Sequence, residues 1–331
     1  MAKTPKHFKE IIRNIVGINA LADDASAPHI KYLQKVQTAF RSSNVVGIGA
    51  SYKTTEDKPT DTLSITFYVK KKLPRNRIKS ENLLPEMLSS INGRAVFTDV
   101  KETGVFHPSD TPLVQERPIE SGYSVSNVTG STGTVGAIVS KAGKSSRYLL
   151  SNSHVLANTG LASRGSQILY PGVTDQGNPD TDWVAILDDS VPLTPGDTYV
   201  NQVDAALAEV LNSRTGDLRF DIYGTGSPIR FAAPAVGMSV IKRGRTSGET
   251  AGQVTDVDFH FSLSYPGVGT CGFAAQALCT PFTEDGDSGS LVVDQNTGNL
   301  VGLHFAHSNG GSVFNPIRSV IDALEISFAS S

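Results

Sequence analysis

Gly286-Asp287-Ser288-Gly289-Ser290 is the string in this chain best suited to covalent chemistry. A serine hydroxyl is a weak nucleophile at neutral pH. Acyl transfer therefore needs a base to take its proton, a group to orient that base, and backbone donors for the oxyanion. Glycines flanking Asp287-Ser288 let the backbone bend until the amides of Gly286 and Ser288 point at one oxygen. The plainer reading is a Gly-Asp-Ser turn leading into the strand SLVVD.

Of seven histidines, His154 alone directly follows an apolar strand, Tyr148 to Leu150, and enters a polar turn through SNSH. That placement puts an imidazole at a strand end facing a cleft, where it can serve as the base. For the orienting acid, Asp204 opens the run Val203-Asp-Ala-Ala-Leu-Ala-Glu-Val, whereas Asp180 and Asp182 stand in the more polar PDTDWVAIL. A carboxylate in an apolar stretch needs a partner because its desolvation is costly, which favours Asp204.

The elements that must hold these groups fall into two sets. Apolar residues at helical spacing over 5–21 (Phe8, Ile11, Ile12, Ile15) and 28–42 (Leu33, Val36, Phe40) predict two short leading helices, which form an N-terminal segment 1–43. Period-two alternation in VVGIGASY and through Leu63, Ile65, Phe67 and Val69 predicts strands. A helix around Leu83 to Leu88 and a strand near Ala95 to Val100 complete a small α+β unit over 44–106. Pro108, Pro112 and Pro118 among polar residues mark 107–120 as a linker. From 121 to 331, short apolar runs separated by glycine-rich turns predict a β-barrel domain closed by an amphipathic helix from Pro316 to Phe328.

Bulk properties agree with an ordinary globular protein. The 331 residues are 39% hydrophobic and 18% charged, enough for two domains with their own cores. A net charge of -3 gives no field that would recruit nucleic acid or an anionic membrane, although Lys3, Lys6, Lys9 and Arg13 cluster at the start. With no long apolar run and no leader-like core, the expectation is a cytoplasmic protein. Cys271 and Cys279 are too few for a disulfide framework and lack zinc-site spacing, so they read as free thiols unless a hairpin brings them together.

The order His154, Asp204, Ser288 resembles the chymotrypsin-like (S1) serine peptidases. LSNSHV looks like the histidine segment of that family, VDAALAEV like its aspartate segment and GDSGS like its serine segment. VIKRGRTSGETAGQV, Val240 to Val254, resembles the strand pair of streptogrisin-type and α-lytic-type proteases. NVVGIGASYK, ITFYVKKKLP and TDVKETG are similar to bacterial trypsin-like peptidases related to the plant Narrow Leaf proteases. Two positions depart from the secreted members: Ser290 replaces a glycine and Val155 a cysteine.

The resemblance implies a mostly β protein: a chymotrypsin-like double β-barrel with a C-terminal helix, preceded by a small α+β domain. It implies a serine endopeptidase that cleaves protein or peptide substrates without metal or organic cofactor. It also implies an ion pair between Arg245 and Asp287 that holds the oxyanion loop, and a substrate pocket walled by His304 and Phe305, where the imidazole would favour an acidic side chain. The alternative is a catalytically idle binding or scaffold protein on a protease fold. A regulatory partner for the N-terminal unit stays open.

Overall fold

The computed structural model describes residues 4–17, 27–55, 58–89, 94–106 and 118–328. Two sheets dominate it. The first has eight strands, in the order Ile326–Phe328, Ala137–Lys141, Arg147–Ser151, Ala206–Val210, Trp183–Ser190, Gln167–Leu169, Ser124–Asn127 and Gly133–Thr134. The second has eleven, running from Gly196–Asn201 through Gly269–Cys279, Gly311–Pro316, Leu300–Ser308, Leu291–Asp294 and Ser239–Gly244 to Gly248–Tyr265, and then through the four N-terminal strands. Together with a short C-terminal helix they form the mostly β architecture that the sequence predicts.

The long strand Gly248–Tyr265 joins the two parts of the chain. It pairs with Ser239–Gly244 at its start and with the N-terminal strand Val45–Thr55 further along, where Gly47 faces Phe261 and Ile48 faces His260. The N-terminal strands thus extend the second sheet. Beneath them, Phe8, Ile11, Ile12 and Ile15 of the helix Lys6–Val16 lie on one face, as their i, i+3, i+4, i+7 spacing requires, and pack on Ile48, Ile65 and Phe67. On the other side of the junction Phe259, Phe261, Phe273 and Phe305 stack into one cluster, with ring centroids 5.0 to 5.8 Å apart.

Two expectations change. No helix forms over 83–88. Pro85 lacks a donor and disfavours helical geometry at Leu84, so the chain makes a 3₁₀ turn at Ser80–Asn82 and the short strand Met87–Ser89. The C-terminal helix is shorter than expected, Ile317–Leu324; Glu325 turns left-handed at φ 53° and Ile326–Phe328 joins the first sheet opposite Ala137–Lys141. The leading helices span Lys6–Val16 and Ala27–Phe40, while 18–26 and most of the 107–120 linker lie outside the described residues. Both cysteines are buried free thiols in one strand, Gly269–Cys279. Among the described residues no helix is long and apolar enough to cross a membrane.

Candidate active site

Antiparallel pairing brings the base and the acid together. Arg147–Ser151 and Ala206–Val210 are neighbours with Ser151 opposite Ala206, so the same register carried past the strand ends sets residue 153 beside residue 204. His154 sits in the one-turn helix Ser153–Leu156 that follows. Its Nδ1 donates to Asp204 Oδ2 at 2.6 Å, which leaves Nε2 with a free lone pair. Asp180 and Asp182 stay in a polar loop, where the Asp182 carboxylate accepts from the Asn178 amide.

Asp204 is fully buried, and its carboxylate is saturated with donors. Oδ1 accepts from the amides of Ser153 at 2.6 Å and His154 at 3.3 Å; Oδ2 also accepts from the Tyr265 hydroxyl at 2.6 Å. Burial pushes its pKa up, but the His154 imidazole and these hydrogen bonds outweigh burial and hold it below the ordinary carboxylate value. Tyr265 is in turn held well above the usual phenol range by burial and by the adjacent carboxylate. The Asp204 amide donates to Asn315 Oδ1, and Asn315 donates to Gln276, so the loop is pinned from the second sheet as well.

Ser288 lies in the turn just before the second-sheet strand Leu291–Asp294. Gly286 and Gly289 have φ of +100° and +97°, a region in which other residues are strained. A Cβ at Gly289 would lie 2.2 Å from Ser151 Oγ, and one at Gly286 2.3 Å from Arg245 Nη1, so space as well as conformation demands glycine. The Ser288 carbonyl accepts from the Thr134 amide, and the Gly286 carbonyl accepts from the Thr134 hydroxyl, both at 2.7 Å. A Cβ on Gly133 would meet both Val155, next to His154, and the Ser288 carbonyl within 2.7 Å, so the histidine and serine segments converge there. Among the described residues the amides of Gly286 and Ser288 have no acceptor, and the buried Ser288 Oγ makes no hydrogen bond.

The expected pair of Arg245 with Asp287 is not formed. Asp287 instead pairs with Lys242 at 2.8 Å, both side chains fully buried. Strand alternation is the reason. Lys242 and Gly244 share one face of Ser239–Gly244 with buried Val240, and the missing side chain of Gly244 makes the room: a Cβ there would be 2.3 Å from Asp287 Oδ1. Arg245, one residue on, reaches the other way, its Nε 3.0 Å from Asp175 and its Nη1 donating to the Thr132 carbonyl, both from the first-sheet half. Burial raises the Asp287 pKa, but Lys242 and the Ser247 hydroxyl outweigh it and leave it below its ordinary value. Burial lowers that of Lys242, while Asp287 pulls it back up.

The pocket residues also differ from expectation. Phe305 is fully buried and packs in the aromatic core beside Phe261 and Phe273. His304, on the opposite face of the same strand, is fully buried; its Nδ1 donates to the Val313 carbonyl at 2.9 Å and Nε2 has no partner. Burial pushes its pKa down to about 3, so it is a neutral acceptor and brings no positive charge to a substrate. Its backbone braces the serine turn: the Gly289 amide donates to the His304 carbonyl, and the His304 amide to the Ser290 carbonyl.

Lys242, Tyr265 and Asp175 were not identified from the sequence. Lys242 carried a usable signal, since it is in phase with Val240 on an alternating strand. Nothing local marks Tyr265, 61 residues from Asp204.

No protein-family model matches the chain, and neither does any curated protein. Solved structures to which it is similar are serine proteases. One is a glutamic acid-specific serine protease that uses a histidine triad in substrate binding, with 19% identity and a TM-score of 0.45, covering 64% of this chain and 100% of that one. Thermobifida fusca protease A has 17% identity and a TM-score of 0.44, and Cellulomonas bogoriensis chymotrypsin 16% and 0.42; each match covers 64% of this chain and 99% of the other.

Proposed function

We propose that the chain is a serine endopeptidase acting through an acyl-enzyme. The observation that carries this reading is the 2.6 Å bond from His154 Nδ1 to buried, ionised Asp204, which orients the imidazole to act as a base, with the histidine and serine segments meeting at Gly133. In the proposed cycle His154 takes the Ser288 proton as Oγ attacks a peptide carbonyl, and Asp204 holds the tautomer. The unengaged amides of Gly286 and Ser288 receive the oxyanion, where losing one donor costs about 3 to 4 kcal/mol. Protonated His154 then passes its proton to the leaving amine, and water releases the acyl group with the same base. Protein or peptide substrates follow from this chemistry.

The unmade hydrogen bond at Ser288 Oγ favours the other reading, a binding protein with an idle site. A fluorophosphonate probe separates the two. It should label the intact chain and not Ser288→Ala; equal labelling of both, or of neither, would sink the peptidase reading.

A further inference from the structure

The charge of -3 is unevenly spread. From Lys70 to Lys79 the chain carries six cations and no acid. This segment rims a cavity of about 670 Å³ against the strands Met87–Ser89 and Ala95–Glu102, and none of His154, Asp204 and Ser288 lines it. Its interior is apolar, with buried Val69 and half-buried Leu84 and Val100. Its mouth exposes Leu73, Met87 and Phe97 to 41%, 46% and 47%.

The acids on its wall are already engaged. Glu86 pairs with Arg75 at 2.7 Å, and Asp99 accepts from the amides of Thr54 and Val100. Lys71, Lys72, Arg77 and Lys79 are exposed, with no carboxylate at ion-pairing distance among the described residues. Exposed apolar surface collected under unpaired cations marks a recognition site rather than an ordinary solvated face.

We propose that this cavity docks an acidic peptide segment bearing bulky apolar side chains. The volume falls in the range that holds a ligand of a few side chains. Strand addition is not the mode: Met87–Ser89 ends its sheet but has three residues, and Tyr32 already donates to the Met87 carbonyl. Affinity comes instead from side chains buried in the cavity and carboxylates on its rim. Base stacking is disfavoured because Lys53 covers the Phe97 ring at 5.4 Å. A concave site also suits a peptide better than a membrane surface.

The test uses full-length Ser288→Ala protein, so its outcome does not depend on whether the chain cuts peptides. The probe is a short labelled peptide alternating glutamate and leucine, followed by fluorescence anisotropy. Binding should weaken with added salt. Lys71→Glu/Lys72→Glu and, separately, Leu73→Ser should each weaken it roughly tenfold or more with unchanged melting temperature, about 1.4 kcal/mol. No binding, equal binding by either variant, or equal binding of a lysine-leucine peptide overturns the proposal. So does a preference for phosphatidylserine vesicles or a single-stranded oligonucleotide.

Discussion

Asp287, fully buried, receives Lys242 Nζ, the Ser247 hydroxyl and the amides of Thr246, Ser247 and Glu284. A carboxylate so held fixes the peptides on either side of it; the following one carries the Ser288 amide, and the preceding one adjoins Gly286. Removing the ammonium leaves a buried charge unpaired. Lys242→Met should therefore cost about 3 to 5 kcal/mol, read as a fall in melting temperature, and should slow fluorophosphonate labelling. Adding Asp287→Asn should recover part of the loss; a Lys242→Met protein as stable as the parent would refute this account of the pair. The residue types of the site were legible because triad chemistry accepts so few. The partner of Asp287 was not, because the choice between two cations three residues apart rests on which strand face each occupies.

The strand Gly248–Tyr265 serves three neighbours in turn. It begins beside Lys242, whose ammonium donates to the Gly248 carbonyl, continues against Val45–Thr55, and ends with Tyr265 on Asp204. Tyr265→Phe keeps the ring in its apolar setting but withdraws one of the donors on the carboxylate. We expect kcat/KM on a peptide substrate to fall about tenfold with little change in KM, since a net hydrogen bond to a charged group is worth on the order of 1.5 to 3 kcal/mol. Unchanged kcat/KM would show that the other donors suffice. The strands Val45–Thr55 and Lys58–Val69 and the two leading helices were legible from periodicity alone. The segment 83–88 was not, because its apolar residues fit either period and Pro85 decides between them. The C-terminal end misled for a similar reason: Ile326 and Phe328 continue the apolar pattern, but Glu325 has already broken the helix.

At the scale of the whole molecule, the N-terminal strands meet the rest across a buried acid. Asp256 is fully buried, accepting from the Ala50 amide at 2.8 Å and the Tyr68 hydroxyl at 2.7 Å, both from the N-terminal side of the junction. Burial raises its pKa to about 7, against the opposing pull of these bonds and of Lys101. Because the folded value lies above the unfolded one of about 3.9, the folded state binds the extra proton. Its contribution is full below about pH 4 and is lost as pH rises toward about 7, at up to roughly 1.4 kcal/mol per pH unit. Melting temperatures across that window should fall for the parent and stay flatter for Asp256→Asn. Parallel curves would remove Asp256 from the linkage. The shared sheet has a further meaning for self-association. Without Val45–Thr55, the unpaired backbone of Gly248–Tyr265 would face water beside Phe259 and Phe261, a sticky margin on which copies could stack. The leading residues are in that sense a built-in guard against self-association, whatever else they recognise.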